Sequence, residues 1–218
     1  MKKNITIVLL SIVALVSIAA AFLFYTFRDN RYGIPGGDLK MTYSKDKNDY
    51  GFHTIAPKDL DKSPWKMLAK DWMLILGEKD SKQNAMTASW GGMGVVWGKD
   101  TTLMVIRPQR YTLPFIDGSE TYSLNFFDET HRKTLGYMGR VSGRDENKIE
   151  KSGLTVVHDA NGTPYFKEAK TVFICKKLYR QQMTSDSFID KSIIDEHYEE
   201  GDFHYTFVGE IQQILIKP

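Results

Sequence analysis

The chain contains a single cysteine, Cys175, so its fold cannot depend on an internal disulfide bond. It also lacks the closely spaced histidine pairs, such as HExxH, that are typical of zinc sites. Its histidines are instead scattered along the sequence: His53, His131, His158, His197 and His204. We therefore expect no metal site.

Two nucleotide-binding motifs are absent as well. The sequence has no GxxxxGK[ST] motif, which argues against a P-loop, and no GxGxxG motif, which argues against a Rossmann domain. The 29 Lys and Arg residues nearly balance the 27 Asp and Glu residues, so the formal net charge is only +2. Because no long basic block is present either, we expect no nucleic-acid partner.

One long hydrophobic run lies near the N-terminus. Residues 5–27 carry no charge and are long enough to cross a bilayer core, which takes about 20 helical residues. We interpret residues 1–28 as a retained single-span membrane anchor with the domain outside the cytoplasm. The alternative is a secreted protein whose signal is cleaved near the small residues 19–21. The run continues past these residues into aromatic residues typical of a membrane interface, which favours the anchor.

The rest of the chain divides into a polar, glycine- and proline-containing linker and cap, residues 29–63, and one domain, residues 64–218. The strand-like segments of this domain are 72–77, 85–91, 94–97, 101–106, 122–126, 169–182 and 203–216. Helical patterns lie mainly in residues 128–152, and Trp97 is expected in the core. Because strands and helices do not alternate, the pattern favours a mainly β fold, an antiparallel barrel with added helices, over a parallel sheet.

Two segments carry candidate binding residues. In a strand, Ala85, Thr87 and Ser89 share one face, and such small side chains would let a flat ligand approach the backbone. The same face would also suit close packing against a helix, so this segment alone leaves both interpretations open.

The second segment begins with Arg107 and follows the predicted hairpin. Arg107 and Arg110 can contact a phosphate, although a loop with two solvated arginines is an equally good interpretation. Thr112 is placed to cap a helix, and Pro114 suits its first turn. A helix that begins here would direct free N–H groups at the same anion.

Together the two segments resemble a known family. Asn84-x-Met-Thr-x-Ser-Trp, followed after one hairpin by Arg107-Pro-x-Arg-Tyr-Thr, is similar to FMN-binding split-barrel flavoproteins of the flavin reductase and flavoredoxin type. The strand at 122–126 and the ending at 201–211 resemble the next strand and the closing strand of that family. The resemblance covers about residues 64–217.

The resemblance implies a six-stranded antiparallel split β-barrel that forms a homodimer, with FMN bound at the dimer interface. It implies that the cofactor-binding residues are Asn84, Met86, Thr87, Ala88, Ser89, Trp90, Arg107, Arg110, Tyr111, Thr112 and Asn125. No side chain is expected to act as an acid or base, because the chemistry would belong to the flavin. His204 is a candidate for contacting the flavin or a nicotinamide, and an ordinary strand histidine is an equally good interpretation.

The implied activity is that of an FMN-dependent oxidoreductase, which passes electrons from NAD(P)H or another donor through bound flavin to an acceptor. Two features depart from the family pattern: Phe203 separates Asp202 from His204, and a membrane segment is unusual. The second departure leaves open a quinone or a membrane protein as donor. The alternatives are a barrel that binds flavin or haem without turnover, and an interaction domain without a cofactor.

Overall fold

The computed structural model describes residues 50–218. The predicted anchor, residues 1–28, and the first part of the predicted linker lie outside the described residues. Within residues 50–218, no helix combines the length and the apolar character needed to cross a membrane.

The described residues are mainly β, as predicted. The strands are β1 His53–Ile55, β2 Met73–Lys79, β3 Lys82–Ala88, β4 Gly91–Val96, β5 Lys99–Ile106, β6 Thr121–Phe126, β7 Val156–His158, β8 Pro164–Phe166, β9 Thr171–Gln182 and β10 Tyr205–Ile216. The α-helices are α1 Pro64–Lys66, α2 Leu113–Asp117, α3 Arg132–Arg140, α4 Lys148–Ser152 and α5 Ser192–His197. A π-helical turn, Met67–Asp71, continues α1, and 3-10 turns lie at Pro57–Asp59, Glu129–His131 and Ser185–Ser187.

The main sheet is antiparallel and rolled. Its strand order is β3-β2-β6-β9-β10-β5-β4, with β1 paired to β10. Strands β3 and β4 are the two edges of this order, yet only Ser89 and Trp90 separate them in the chain. Three peptide units span at most about 11 Å, so the sheet must curl until its edges approach each other. Because residues 50–218 contain no paired register between β3 and β4, the roll is split along this line.

Three details of the sequence prediction need correction. The main sheet has eight strands rather than six, and the strand that the sequence did not predict is β1. Because β1 pairs with β10 and Phe52 is buried in the core, the folded domain begins within the predicted linker and not at residue 64. Trp97 is 62% exposed instead of buried, because it lies at the tip of the β4–β5 hairpin.

Successive residues of the central strands alternate between two hydrophobic clusters. In β9, Phe173 and Cys175 point into the roll, whereas Val172 and Ile174 point outward. The outer cluster is covered by α3 and by the β7–β8 hairpin. Burial raises the pKa of the Cys175 thiol to about 12, so it stays protonated and acts as a packing residue.

A buried polar network attaches this hairpin to the sheet. Asn125 donates to the carbonyl of Leu74 at 3.2 Å and to the Ser123 hydroxyl at 2.8 Å. Its side-chain oxygen accepts a hydrogen bond from the Phe166 amide at 2.9 Å. Ser123 in turn donates to the carbonyl of Pro164 at 2.6 Å. The amide of Asn125 is therefore used to hold the fold together.

Replacement of Gly209 by alanine tests the close packing inside the roll. An added Cβ would lie 2.1 Å from the hydroxyl oxygen of Tyr122, which is buried and hydrogen-bonded to Thr102. We expect Gly209→Ala to lower the free energy of unfolding by about 2 kcal/mol or more, as overpacking does elsewhere. Gly94→Ala in β4 is the matched control, because nothing lies within 4 Å of its added Cβ. Urea unfolding measures both variants, and equal stabilities would contradict this packing.

Candidate functional site

A cleft of about 200 Å³ opens at the end of β3. Its lining residues are Met86, Thr87, Ala88, Ser89, Trp90, Val105, Arg107, Arg110 and His204. Side chains alternate between the two faces of a strand, so the three consecutive β3 residues Met86, Thr87 and Ala88 can line one cleft only along the strand's edge. The cleft therefore follows the edge of β3, where the main chain itself is accessible, and not one face of the strand.

The face formed by small residues has a different role from the predicted one. Ala85 is fully buried and packs in one cluster with Leu135 and Met138 of α3. The hydroxyl of Thr87 donates to the carbonyl of Leu135 at 2.6 Å. Packing against α3 thus accounts for the small side chain at Ala85, and Thr87 both contacts α3 and lines the cleft. Ser89 and Trp90 line the cleft beyond the end of β3.

The edge of β3 can supply backbone hydrogen bonds. Among the described residues, β3 pairs only with β2, from Met73 opposite Ala88 to Lys79 opposite Lys82. The N–H and C=O groups on its other side have no strand partner there, and such groups are strong hydrogen-bonding sites. A flat ligand with polar edges could therefore bind to the strand itself.

The two arginines of the cleft differ in their partners. The guanidinium of Arg107 forms an ion pair with Asp202 and donates to the carbonyl of His197 at 2.8 Å. Gln109 donates to the same carboxylate at 2.6 Å. The hydrogen bond from Arg107, followed by that from Gln109, lowers the pKa of Asp202, which keeps this carboxylate ionised. The charge of Arg107 is therefore already balanced.

Arg110 lacks such a counter-charge. Its guanidinium makes one long hydrogen bond, 3.4 Å, to the carbonyl of Gly139, and it forms no ion pair with any carboxylate in residues 50–218. Burial lowers its pKa, although an arginine side chain still remains protonated at neutral pH. A partly buried cation without an acidic partner favours the binding of an anion.

Three other predicted residues lie beside the cleft instead of in it. Asn84 donates to the hydroxyl of Thr112 at 2.8 Å, and both side chains are buried. A Cβ on Gly143 would lie 2.2 Å from the side-chain oxygen of Asn84 and 2.8 Å from the ring of Tyr111. Thr112 does precede α2, as predicted, but its side chain makes no capping hydrogen bond. The hydrogen bond between Asn84 and Thr112 therefore connects β3 to the segment between β5 and α2 that carries Arg110.

An aromatic wall closes the other side of the cleft. The rings of Trp90 and His204 lie 5.3 Å apart, and Trp90 also meets His197 edge-on at 5.4 Å. The Nδ1 atom of His204 is hydrogen-bonded to the hydroxyl of Tyr198 at 2.7 Å. Burial, assisted by the positive charge of Arg107, lowers the pKa of His204 to about 4. The imidazole is therefore neutral at neutral pH.

The structure thus brings together most of the predicted residues and separates one. Asn125 does not line the cleft, and its amide is engaged within the sheet. Sequence reasoning missed Val105 and the acidic partner of Arg107. Asp202 could have been found from the sequence. It lies two residues before the candidate His204, in the segment 201–211 that resembles the family's closing strand, and was therefore a candidate acidic partner for Arg107.

Comparisons with known proteins agree with this fold. The family model described as "Flavin reductase like domain" matches residues 67–218. A comparison with curated proteins gave no match.

Solved structures with the same fold share little sequence identity with this chain. A flavin reductase-like FMN-binding domain from Shewanella baltica is 14% identical and superimposes with a TM-score of 0.57, covering 76% of this chain and 77% of that one. The flavoredoxin of Desulfovibrio vulgaris is 21% identical, with a TM-score of 0.53 and coverages of 74% and 77%. An FMN-binding protein from Thermus thermophilus, solved with p-hydroxybenzaldehyde, is 17% identical, with a TM-score of 0.51 and coverages of 66% and 69%.

The family match covers most of the chain, and the fold of these structures is the rolled sheet described above. The chain belongs to the family of proteins with a flavin reductase like domain.

Proposed function

We propose that this protein is a flavin-dependent oxidoreductase that binds FMN in the cleft along the edge of β3. Family membership supports a flavin-binding function of the oxidoreductase type, and several proteins of the same fold are named for FMN or as flavoredoxins. The observation that carries the proposal is the position of Arg110, which forms no ion pair within residues 50–218 and lies beside an edge of β3 that has no strand partner there.

The residues of the cleft fit the parts of FMN. The main chain of residues 86–90 offers hydrogen-bond donors and acceptors for the polar edge of the ring system. Trp90 and His204 offer aromatic surfaces of the kind that flat ligands contact. Arg110 offers the fixed charge and forked donors that suit a phosphate, whereas Arg107 is held by Asp202.

The bound flavin would supply the electron-transfer chemistry. The side chains that line the cleft would bind and orient the flavin, and none of them need act as an acid or base. Arg110 contributes a permanent positive charge, while the neutral imidazole of His204 adds none. Trp90, His204 and Val105 line the part of the cleft next to the main chain of residues 86–90.

The electron donor is proposed to be NAD(P)H or, if the domain lies outside the cytoplasm, a membrane-associated reductant. The second arrangement follows from the proposed membrane anchor at residues 1–28, with secretion after signal cleavage as its alternative. Anaerobic mixing of the flavin-loaded protein with NADH or NADPH distinguishes the donors by the loss of visible flavin absorption.

Fractionation of cells that express the full-length chain tests the anchor, and recovery in the soluble fraction alone would contradict it.

A homodimer is proposed from the exposed apolar residues around β4. Val95 is 70% exposed and Trp97 62% exposed, and Val96 and Leu103 lie close by on the same hairpin. An edge strand with exposed apolar side chains is a common protein contact surface. Sedimentation of the full-length chain should show twice the chain mass, and Val95→Glu should shift it toward the monomer. A wild-type monomer would contradict the proposal.

Substitution of Arg110 tests the flavin site directly. Wild-type protein should bind FMN, so that the visible absorption of the flavin remains with the protein when free FMN is removed. Arg110→Gln should weaken FMN binding at least tenfold, because a charge-assisted contact to phosphate is lost. Fluorescence titration of FMN measures the dissociation constants.

Arg107→Gln is the matched comparison, since it removes an equal charge from the same cleft. Because Arg107 already pairs with Asp202, we expect this variant to lose stability more than FMN affinity. Wild-type protein that retains no flavin absorption after excess FMN has been removed would refute the proposed function. Equal FMN affinity in wild type and Arg110→Gln would refute the role of Arg110.

A further inference from the structure

A second cleft, of about 210 Å³, adjoins the first and shares Arg110 with it. It lies between the loop after β5, the C-terminal end of α3 and the start of α4. Four of its lining residues are cationic: Arg110, Arg140, Arg144 and Lys148. None of its lining residues is acidic, so the cleft has a positive potential that attracts anions.

Lys148 is the unusual member of this set because it is almost fully buried, at 3% exposure. Its ammonium group donates to the carbonyls of Met138 and Val141, at 2.9 and 3.1 Å. Burial, followed by the repulsion of Arg110, lowers its pKa to about 8. An ammonium has three donors, so these two hydrogen bonds leave one donor for a ligand.

Nearby carboxylates do not neutralise the cleft. Glu146, two residues before Lys148, is bonded to Lys151 and to the hydroxyl of Tyr137. Arg144 donates to the carbonyl of Gln109 at 2.9 Å, which is a neutral partner. Within residues 50–218, neither Arg140 nor Lys148 forms an ion pair. A buried cation beside a half-buried one that repels it is costly without a counter-ion, and a bound anion would relieve that cost.

We propose that this second cleft binds a phosphate group, with the half-buried Arg110 and the buried Lys148 as its inner contacts and Arg140 and Arg144 at its exposed rim. The phosphate can come from a flavin nucleotide, in which case the inference rests on the proposed function, or from a separate nucleotide. In the first case the phosphate is held by Arg110 and Lys148, and not by the pair of Arg107 and Arg110 that the sequence indicated.

The first experiment uses pyrophosphate as the probe and the full-length protein. Millimolar pyrophosphate should raise the thermal unfolding midpoint more than sodium chloride of equal ionic strength does, because a ligand of the folded state stabilises it. Lys148→Met should abolish this difference. Lys133→Met on α3 removes the same charge from an exposed position outside the cleft and should leave the difference unchanged.

Lys148 also binds the last carbonyls of α3, so its loss could unfold the chain for structural reasons. The double variant Arg140→Met/Arg144→Met avoids this, because both side chains are exposed. It should reduce pyrophosphate affinity about tenfold or more. A wild-type response no larger than that to sodium chloride, or a full response in the double variant, overturns the proposal.

FMN and riboflavin, which lacks the phosphate, then identify the source. If the flavin phosphate enters this cleft, wild type should prefer FMN at least tenfold, pyrophosphate should compete with FMN, and the double variant should lose the preference. If a separate nucleotide supplies the phosphate, the protein should bind FMN and pyrophosphate at the same time, without competition between them. Failure to bind either flavin would refute the proposed function alone, because the pyrophosphate response tests the cleft independently.

Discussion

The short connection between β3 and β4 is the constraint on which the rest of the structure depends. These strands lie at opposite ends of the sheet order, but only Ser89 and Trp90 join them. The sheet must therefore roll, and the roll creates an apolar interior filled by residues such as Phe173 and Phe207. It also leaves one edge of β3 without a strand partner, among the described residues, at the place where the chain crosses to β4. The core and the cleft are two consequences of the same connection.

The two ends of the site differ in net charge. Arg107 is matched by Asp202, and His204 is kept neutral by burial and by Arg107. Within residues 50–218, the half-buried Arg110 and the buried Lys148 form no ion pair, and both lie on the side toward α3 and α4. An aromatic wall at one end and excess positive charge at the other suit a ligand that is flat at one end and anionic at the other. Flavin mononucleotide has this shape, which is why the family assignment and the geometry support the same proposal.

Much of this could be predicted from the sequence, because the strand and turn signals are local. The β4–β5 hairpin, the long strands β9 and β10 and the cleft residues 86–90 follow from patterns a few residues long. Long-range contacts could not be predicted in this way. The pairing of β1 with β10, the use of Asn125 to hold β8 and the ion pair of Arg107 each join residues at least 41 positions apart. Lys148 carried no signal, because a lysine early in a short helix usually indicates a solvated surface.

A crystal structure of the protein grown with FMN is the most direct test of the central claim, which is that the unpaired edge of β3 and the uncompensated charge of Arg110 form one ligand site. The account predicts the ring system alongside the main chain of residues 86–90, with the phosphate within hydrogen-bonding distance of the Arg110 guanidinium. Flavin bound elsewhere, or bound here with its phosphate directed away from Arg110, would contradict it.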